Sequence, residues 1–375
     1  MSAAIKKLTI QGFKSIRDAE IDLKSLNIII GANGAGKSNL VQVFRMLRAM
    51  VDGQFSKFIK TNGGADSFLH NGFKHTPEIS ICVEFLSRSA NAEGTNAYHC
   101  TLTPTVDEKF LLSEKRKYVT TSWRPYGSPS EESRLAEQKD ERSASGHFNG
   151  VGHFVYETIS SWMTYHFHDT SYMAPMRRAE IVEDYHGGLR SDASNIAPWL
   201  LFLKNNNNVA YTKIVDAVRL VIPFFDDFRL DVSRFGAAEK VNLSWKQKGS
   251  DYPMQPYHLS DGSIRFICLA TALLQPYPPS TIVIDEPELG LHPFAIAILA
   301  DLIQEAATHT QVIVATQSPA LIDQFAIDDI IVASREDGAS VFKRLNKRDF
   351  STWLKDYSVG ELWTKNVIEG GPANE

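Results

Sequence analysis

Cysteine is scarce in this chain: Cys82, Cys100 and Cys268 are three among 375 residues. They are far apart, odd in number and set in apolar runs, which excludes a disulfide framework as the basis of the fold. Free thiols in a reducing compartment are the expected state. Long hydrophobic runs are missing too; none reaches the roughly 18 residues of a membrane-spanning helix. Residues 1–7 carry no apolar signal-peptide core, so a cytoplasmic protein without a membrane partner is expected. Basic excess is absent: 39 Lys and Arg against 44 Asp and Glu leave a net charge of −5. DNA binding therefore cannot be argued from composition, although a local basic stripe is allowed. Neither an internal repeat nor a run of coiled-coil heptads is evident. Residues 127–150 nearly lack aliphatics and are rich in Ser, Glu, Arg and Gly. Such a stretch buries too little surface to offset its ordering entropy, so a mobile surface loop is expected, with a partner-binding arm as the sharper alternative.

What is present begins with ordinary globular material, 43% hydrophobic and 22% charged residues. The length suggests one large domain with insertions, or two domains. Residues 31–38 read Gly-Ala-Asn-Gly-Ala-Gly-Lys-Ser, directly after the apolar run 26–30. The glycines let backbone N–H groups turn onto a polyphosphate, Lys37 adds a cation and Ser38 offers a hydroxyl to Mg²⁺. Leu40, Val41, Val43, Phe44, Leu47 and Met50 follow at helical spacing, so a helix opens at the loop with its positive end toward the anion. Residues 79–85 alternate as a strand, and 98–103 and 110–121 read as further strands. Helices are expected over 154–162, 196–203 and 209–224, with 205–208 as a loop. From 259 onward helix and buried strand alternate regularly, the pattern of a parallel sheet covered by helices.

Three further motifs carry chemistry. Residues 281–288 form an apolar strand ending Asp285-Glu286-Pro287-Glu288. Asp285 is placed to hold Mg²⁺ with Ser38, and Glu286 to polarise a water for attack on the γ-phosphate. A solvated acidic strand end is the plain alternative. Residues 259–265 read Leu-Ser-Asp-Gly-Ser-Ile-Arg. Ser260 can cap a helix and Gly262 lets a backbone amide approach closely, which makes a second phosphate site at a helix start. One nucleotide does not need two such sites. A dimer in which this turn closes on the other subunit's nucleotide is the simplest resolution; a merely capped helix is the alternative. Ala315-Thr316-Gln317-Ser318-Pro319 puts polar side chains at a carboxyl strand edge, where Gln317 could sense the γ-phosphate or orient water.

Rival readings are weaker. Asn346-Lys347-Arg348-Asp349 fits a guanine-reading pattern, yet the acid-ended strand lies far from the phosphate loop, and a turn before a final helix is expected. His166, His168 and Asp169 suggest a metal only in isolation; their neighbours Tyr165 and Phe167 suggest a packed edge. Arg177 and Arg178 could meet phosphate, but a solvated or salt-bridged pair is the simpler reading. The residues after Pro319 lack an Asp-x-Asp pair and are too few for a nuclease module.

Together, Gly-x-Asn-Gly-x-Gly-Lys-Ser, Leu-Ser-Asp-Gly, Ile-Asp-Glu-Pro-Glu and Thr-Gln-Ser-Pro resemble the ABC-type ATPase heads of RecF, SMC and overcoming-lysogenization-defect proteins. Gly12-Phe13-Lys14-Ser15 is similar to the opening turn of those heads. Gly290-Leu291-His292-Pro293 and the tail 357–363 look like the RecF-like prokaryotic subgroup. The resemblance implies an α/β P-loop NTPase of ABC type, with a mixed sheet, an antiparallel β lobe and an inserted helical lobe. The head would comprise 1–85 and 257–375, and 86–256 the inserted lobe. The cofactors implied are ATP and Mg²⁺, and the activity is slow hydrolysis to ADP and phosphate. Lys14, Asn33, Gly34, Ala35, Gly36, Lys37, Ser38 and Asn39 would hold the nucleotide, with Ser260 and Gly262 acting across a head-to-head homodimer. Ser38 and Asp285 would hold the metal; Glu286 and Gln317 would be catalytic. Two residues depart from the family pattern. Asp261 stands at a glycine-class position and puts an anion near the partner's γ-phosphate, which slows closure. Gln317 stands where histidine is usual. The expected role is a switch for a separate effector, a nuclease or toxin, in phage defence or genome maintenance. The alternative is a repair ATPase that binds DNA directly, with binding that weakens steeply in salt.

Overall fold

The computed structural model describes residues 4–86, 96–118, 121–141, 150–236 and 238–368. It divides into two compact units. The first comprises Met1–Thr164, Ser280–Val283 and Gln311–Glu375; the second comprises Tyr165–Pro279 and Ile284–Thr310.

Strands β1 (Ile5–Phe13) and β2 (Ile16–Asp22) form an antiparallel hairpin. From Ala19 to Asp22 apolar and charged residues alternate along β2, so one face packs inward and the other meets water. Strand β3 (Leu26–Ile30) is buried at all five positions, as a strand covered on both faces must be. Helix α1 (Lys37–Val51) buries the predicted stripe, Leu40 through Met50, and packs on helix α3. Helix α2 (Phe55–Thr61) follows, then β4 (Ile79–Phe85), β5 (Ala97–Pro104), β6 (Phe110–Lys117) and β7 (Arg124–Pro125). These strands continue the hairpin into an antiparallel sheet ordered β2-β1-β4-β5-β6-β7. Helix α3 (Val151–Ser160) and strand β8 (Met163–Tyr165) come next.

The second unit holds β9 (Glu180–Ile181), α4 (Ile196–Asn206), α5 (Asn208–Val221), β10 (Phe225–Arg229), β11 (Val232–Phe235) and β12 (Ala238–Val241). Strands β13 (Ser244–Gln247) and β14 (Pro253–Met254) precede helix α6 (Asp261–Leu273). Two three-stranded sheets result, β10-β13-β14 and β11-β12-β9. Phe225 and Phe228 meet edge to face at 4.8 Å, and Phe225 stacks on Trp245 at 6.0 Å, which fixes the small core there. The alternation predicted for the last third of the chain is observed: β15 (Thr281–Asp285), α7 (Pro293–Ala307), β16 (Gln311–Thr316), α8 (Pro319–Ile322), β17 (Ile330–Glu336), β18 (Ala339–Arg344) and α9 (Val359–Thr364). The second large sheet is ordered β18-β17-β3-β16-β15-β8. Strand β3 runs parallel to β16 and β17, whereas β18 returns antiparallel, so the sheet is mixed.

Several expectations shift. The unit boundary does not fall at 85, because β5 pairs with β4 and β6 with β5, carrying the same sheet onward. It does not fall at 257 either; the second unit starts at Tyr165. The loop expected over 205–208 shrinks to Asn207, whose side chain accepts the Ala210 amide and caps α5. Of the segment expected to be a mobile loop, 142–149 lie outside the described residues, and 127–141 are packed. Ser130 and Leu112 exchange backbone hydrogen bonds of 2.8 and 3.1 Å, and Leu135 is fully buried. The anchor is Glu114, a buried carboxylate of β6. It accepts from Tyr98 Oη at 2.6 Å, Ser133 Oγ at 2.7 Å and the Arg134 amide at 2.7 Å. Three satisfied acceptor bonds compensate what the low aliphatic content cannot supply.

Burial raises the Glu114 pKa above 4.5, against the opposing pull of its donors. The folded state therefore binds this proton more tightly than the unfolded chain does. The stability contributed by the group is fully present below the unfolded value and is lost as pH rises through the elevated one. Glu114→Gln removes that slope. It also turns an NH₂ toward the Arg134 amide, at a cost of about 1–3 kcal/mol for the unmet donors. Urea unfolding of both proteins between mildly acid and neutral pH measures this; parallel stability curves would refute the linkage.

Candidate nucleotide site

In the first unit, β3 delivers the chain into the 31–38 loop and α1 leaves it. Gly36 is the N-cap of α1, at φ 109°, and no side chain caps the helix. The first helical bond runs from the Leu40 amide to the Gly36 carbonyl at 3.0 Å, so the amides of Lys37, Ser38 and Asn39 precede the ladder at the positive end of the helix. Lys37 is buried, and its Nζ donates to the carbonyls of Gly31 at 2.6 Å and Ala32 at 2.9 Å. The ammonium is thus held over the loop rather than extended into solvent. Ala35 is buried, and its amide turns back to the Ala32 carbonyl at 3.2 Å. Asn33, Gly34 and Ser38 are exposed.

Asn39 does something the motif alone did not show. Its Nδ2 donates to Ser15 Oγ at 2.7 Å, and Ser340 Oγ lies 2.7 Å from the same Ser15 oxygen. The Ser340 amide also donates to the Ser15 carbonyl at 2.7 Å. Ser15 therefore ties the Gly-Phe-Lys-Ser turn, helix α1 and strand β18 together under Gly36. Asn39 is a fastener of the loop in this structure. Lys14 sits at φ 49°, with its amide bonded to the Phe68 carbonyl at 2.8 Å and its carbonyl bonded to His70 Nδ1 at 2.6 Å. Its ammonium lies 4.8 Å from the Phe68 ring centre, and burial lowers its pKa from the ordinary lysine range. Ser15 and Ser340 were missed as supporting residues. Ser15 stood inside a quoted motif, but Ser340 carries no local signal at all.

Gln317 follows β16 and is half-buried; Ser318 caps α8 and donates its amide to Thr316 Oγ1 at 3.0 Å. The tail motif folds as α9, with a capping box between Ser358 and Glu361. The Gly360 amide donates to Asp323 Oδ1 at 2.6 Å, so the tail docks on α8 just beyond Gln317. The guanine-like pattern is a turn after β18 in which the Arg348 and Asp349 amides bond back to Asn346.

In the second unit, Asp285 is buried at the end of β15, and its carbonyl accepts from His168 Nε2 at 3.1 Å. Glu286 has φ 46°, a left-handed conformation that costs a non-glycine residue energy and is kept only where the surroundings impose it. His168 packs against His166 with the rings tilted by 32° and their centres 3.8 Å apart, and among the described residues no group of three metal-ligating side chains is found. Ser260 caps α6 as expected, accepting the Ser263 amide at 3.1 Å. Helix α6 begins at Asp261, earlier than its apolar pattern alone suggests.

A Cβ at Gly262 would collide with the Gly290 carbonyl oxygen. The close approach at Gly262 is therefore backbone on backbone within the chain, between the helix start and the loop after Glu286. Arg265, a turn further, is buried and clamps the same region. Its Nε donates to the Phe167 carbonyl at 2.9 Å, its Nη2 to the His168 carbonyl at 3.2 Å and its Nη1 to the Leu289 carbonyl. Desolvation lowers the Arg265 pKa, though it remains a cation. Arg177 is neither solvated nor aimed outward: its buried guanidinium pairs with Asp261 at 3.1 Å.

Residues 167–323 match a family model of an AAA domain, whose description carries the words AbiEii toxin and type IV TA system. Residues 4–144 match an AAA ATPase domain model. A crystal structure of an Smc head bound to the C-terminal winged-helix domain of ScpA aligns at TM-score 0.60 and 15% identity, covering 92% of this chain and 99% of that one. An Smc head with an extended coiled coil, bound to the C-terminal domain of ScpA from Pyrococcus furiosus, aligns at TM-score 0.56 and 17% identity, covering 94% and 98%. Identities this low speak for the fold alone. Urease accessory protein 2 of Cryptococcus neoformans var. grubii is 36% identical over 85 residues, 22% of this chain and 7% of that protein's length. With an AAA domain model and an AAA ATPase domain model matching along its length, the chain is an ATPase, and its fold is that of the Smc heads.

Proposed function

We propose that this ATPase is a nucleotide-gated switch: ATP closes two copies head to head, and hydrolysis reopens them. The observation that carries the reading is a pair of helix starts, α1 after the glycine loop and α6 after Ser260. Each presents a positive end, and one triphosphate does not require both from one chain. In the proposed closed state Lys37 and the 33–36 loop hold the phosphates from their own copy, with Lys14 and Asn39 alongside. The Ser260–Gly262 turn of the second copy completes the grip.

Ser38 offers a hydroxyl oxygen and Asp285 a carboxylate, the hard donors that Mg²⁺ takes. Bound there, the ion would neutralise charge on the triphosphate. Glu286 would accept the proton of the attacking water, and its imposed backbone conformation suits a carboxylate that must be aimed. Gln317 would orient that water, and the absence of a histidine at this position fits slow turnover. The Smc heads of similar fold are seen with ScpA domains, which supports a separate partner protein for this head as well. We take that partner to be an effector, a nuclease or toxin, in phage defence or genome maintenance within the cytoplasm.

The test is Glu286→Gln, which keeps nucleotide binding and removes the base. Light scattering should show the mass doubling on addition of ATP and Mg²⁺, with no doubling for ADP. A monomer under all conditions sinks the proposal.

A further inference from the structure

The Leu-Ser-Asp-Gly turn carries an anion where a phosphate-binding turn is expected to carry none. Asp261 stands at the first position of α6, and 70% of its side-chain surface is exposed. Left alone, its carboxylate would occupy the positive helix end and repel an incoming phosphate. Arg177 faces it from a buried position; only 6% of the arginine side chain is exposed.

The guanidinium spends every arm of its fork on this turn and its own loop. Nη2 donates to Asp261 Oδ1 at 3.1 Å and to the Leu259 carbonyl at 3.3 Å. Nη1 donates to the Pro256 carbonyl at 2.5 Å and to the Leu259 carbonyl at 3.2 Å. Nε donates to the Thr170 carbonyl at 3.0 Å. All of these groups lie within the second unit. An arginine used in this way fixes geometry and cancels charge together; a lysine could supply only a point charge. One other cation acts on the turn: Arg265 feels the Asp261 charge through space, but its guanidinium is engaged with the Phe167, His168 and Leu289 carbonyls. The direct, hydrogen-bonded pairing of Asp261 is with Arg177.

We propose that Arg177 is a positioning residue of the Ser260 turn: it draws the Asp261 carboxylate aside and holds the Pro256 and Leu259 carbonyls, leaving the amides of 260–262 to receive a phosphate. This rests on the reading that the turn binds nucleotide of a second copy. On this reading Asp261 does not by itself slow closure, because its charge is already paired.

The experiment is a cycle in the Glu286→Gln background, with the ATP-dependent dimer Kd read by sedimentation. Arg177→Met should weaken the dimer by about tenfold or more, as expected when a charge-assisted contact is lost. Asp261→Asn alone should leave it unchanged or tighter. The double variant Arg177→Met with Asp261→Asn should recover most of the loss. A purely structural Arg177, valued for its carbonyl bonds, gives no such rescue, and that result overturns the inference. If Arg177→Met does not fold, Arg177→Lys carries the same cycle: a partial defect relieved by Asp261→Asn supports it, and an unrelieved one refutes it. A parent that forms no ATP dimer overturns the switch reading and this inference with it; a parent that dimerises without rescue in the double variant overturns this inference alone.

Discussion

Lys37→Ala lowers ATP turnover by about 10²–10³-fold, the loss typical when one preorganised donor is removed from developing charge. Its ammonium is buried and held over the loop by the Gly31 and Ala32 carbonyls, so it is in place before any phosphate arrives. Losing those two charge-assisted bonds costs the fold up to about 3–6 kcal/mol, so turnover is compared on protein shown to be folded. Phosphate release measured beside a thermal melt separates the two effects. The contrast with Glu286→Gln is diagnostic: both stop hydrolysis, but Lys37→Ala also abolishes the ATP-dependent dimer, whereas Glu286→Gln accumulates it. Near-normal turnover by folded Lys37→Ala would mean that the 31–38 loop is not where ATP is hydrolysed.

Gly36→Ala destabilises the first unit by about 2–5 kcal/mol, the sum of an imposed left-handed backbone and overpacking. Gly36 combines φ 109° with direct apposition to the Ser340 and Ser15 hydroxyls. Ser340 is buried and bonded to Ser15, so it cannot swing away cheaply. Gly34 is the built-in control. It has φ 76°, but nothing lies within 4 Å of a Cβ placed there, and Gly34→Ala should cost only about 1 kcal/mol. Urea unfolding of the pair reads the difference directly. Equal effects would show that backbone strain alone matters and that the Ser15–Ser340 fastening beneath Gly36 is incidental.

The chemistry was legible where it is local. A glycine loop between an apolar run and a helical stripe, an apolar strand ending in two acids and a serine ahead of a helix are each complete within a few residues. The alternation from 259 onward was legible as well, and the second large sheet reproduces its strands. Boundaries were less legible. Residues 86–164 read as an insertion, yet β5 and β6 continue the first sheet, since strand pairing depends on neighbours and not on distance from a motif. The 127–141 segment read as unable to pack because its own aliphatics are few; the bonds that hold it come from Glu114 of another element.

By itself the sequence determined that the motifs of phosphate chemistry are present and which side chains are proposed to serve it, because Gly-Lys-Ser loops and acid-ended strands act through nearest neighbours. Only the tertiary structure decided how those side chains are braced. Ser15 and Ser340 meet across 325 residues of chain, and Arg177 reaches Asp261 across 84. Such pairings are set by topology, which brings distant segments into hydrogen-bond range, and no local spacing encodes them.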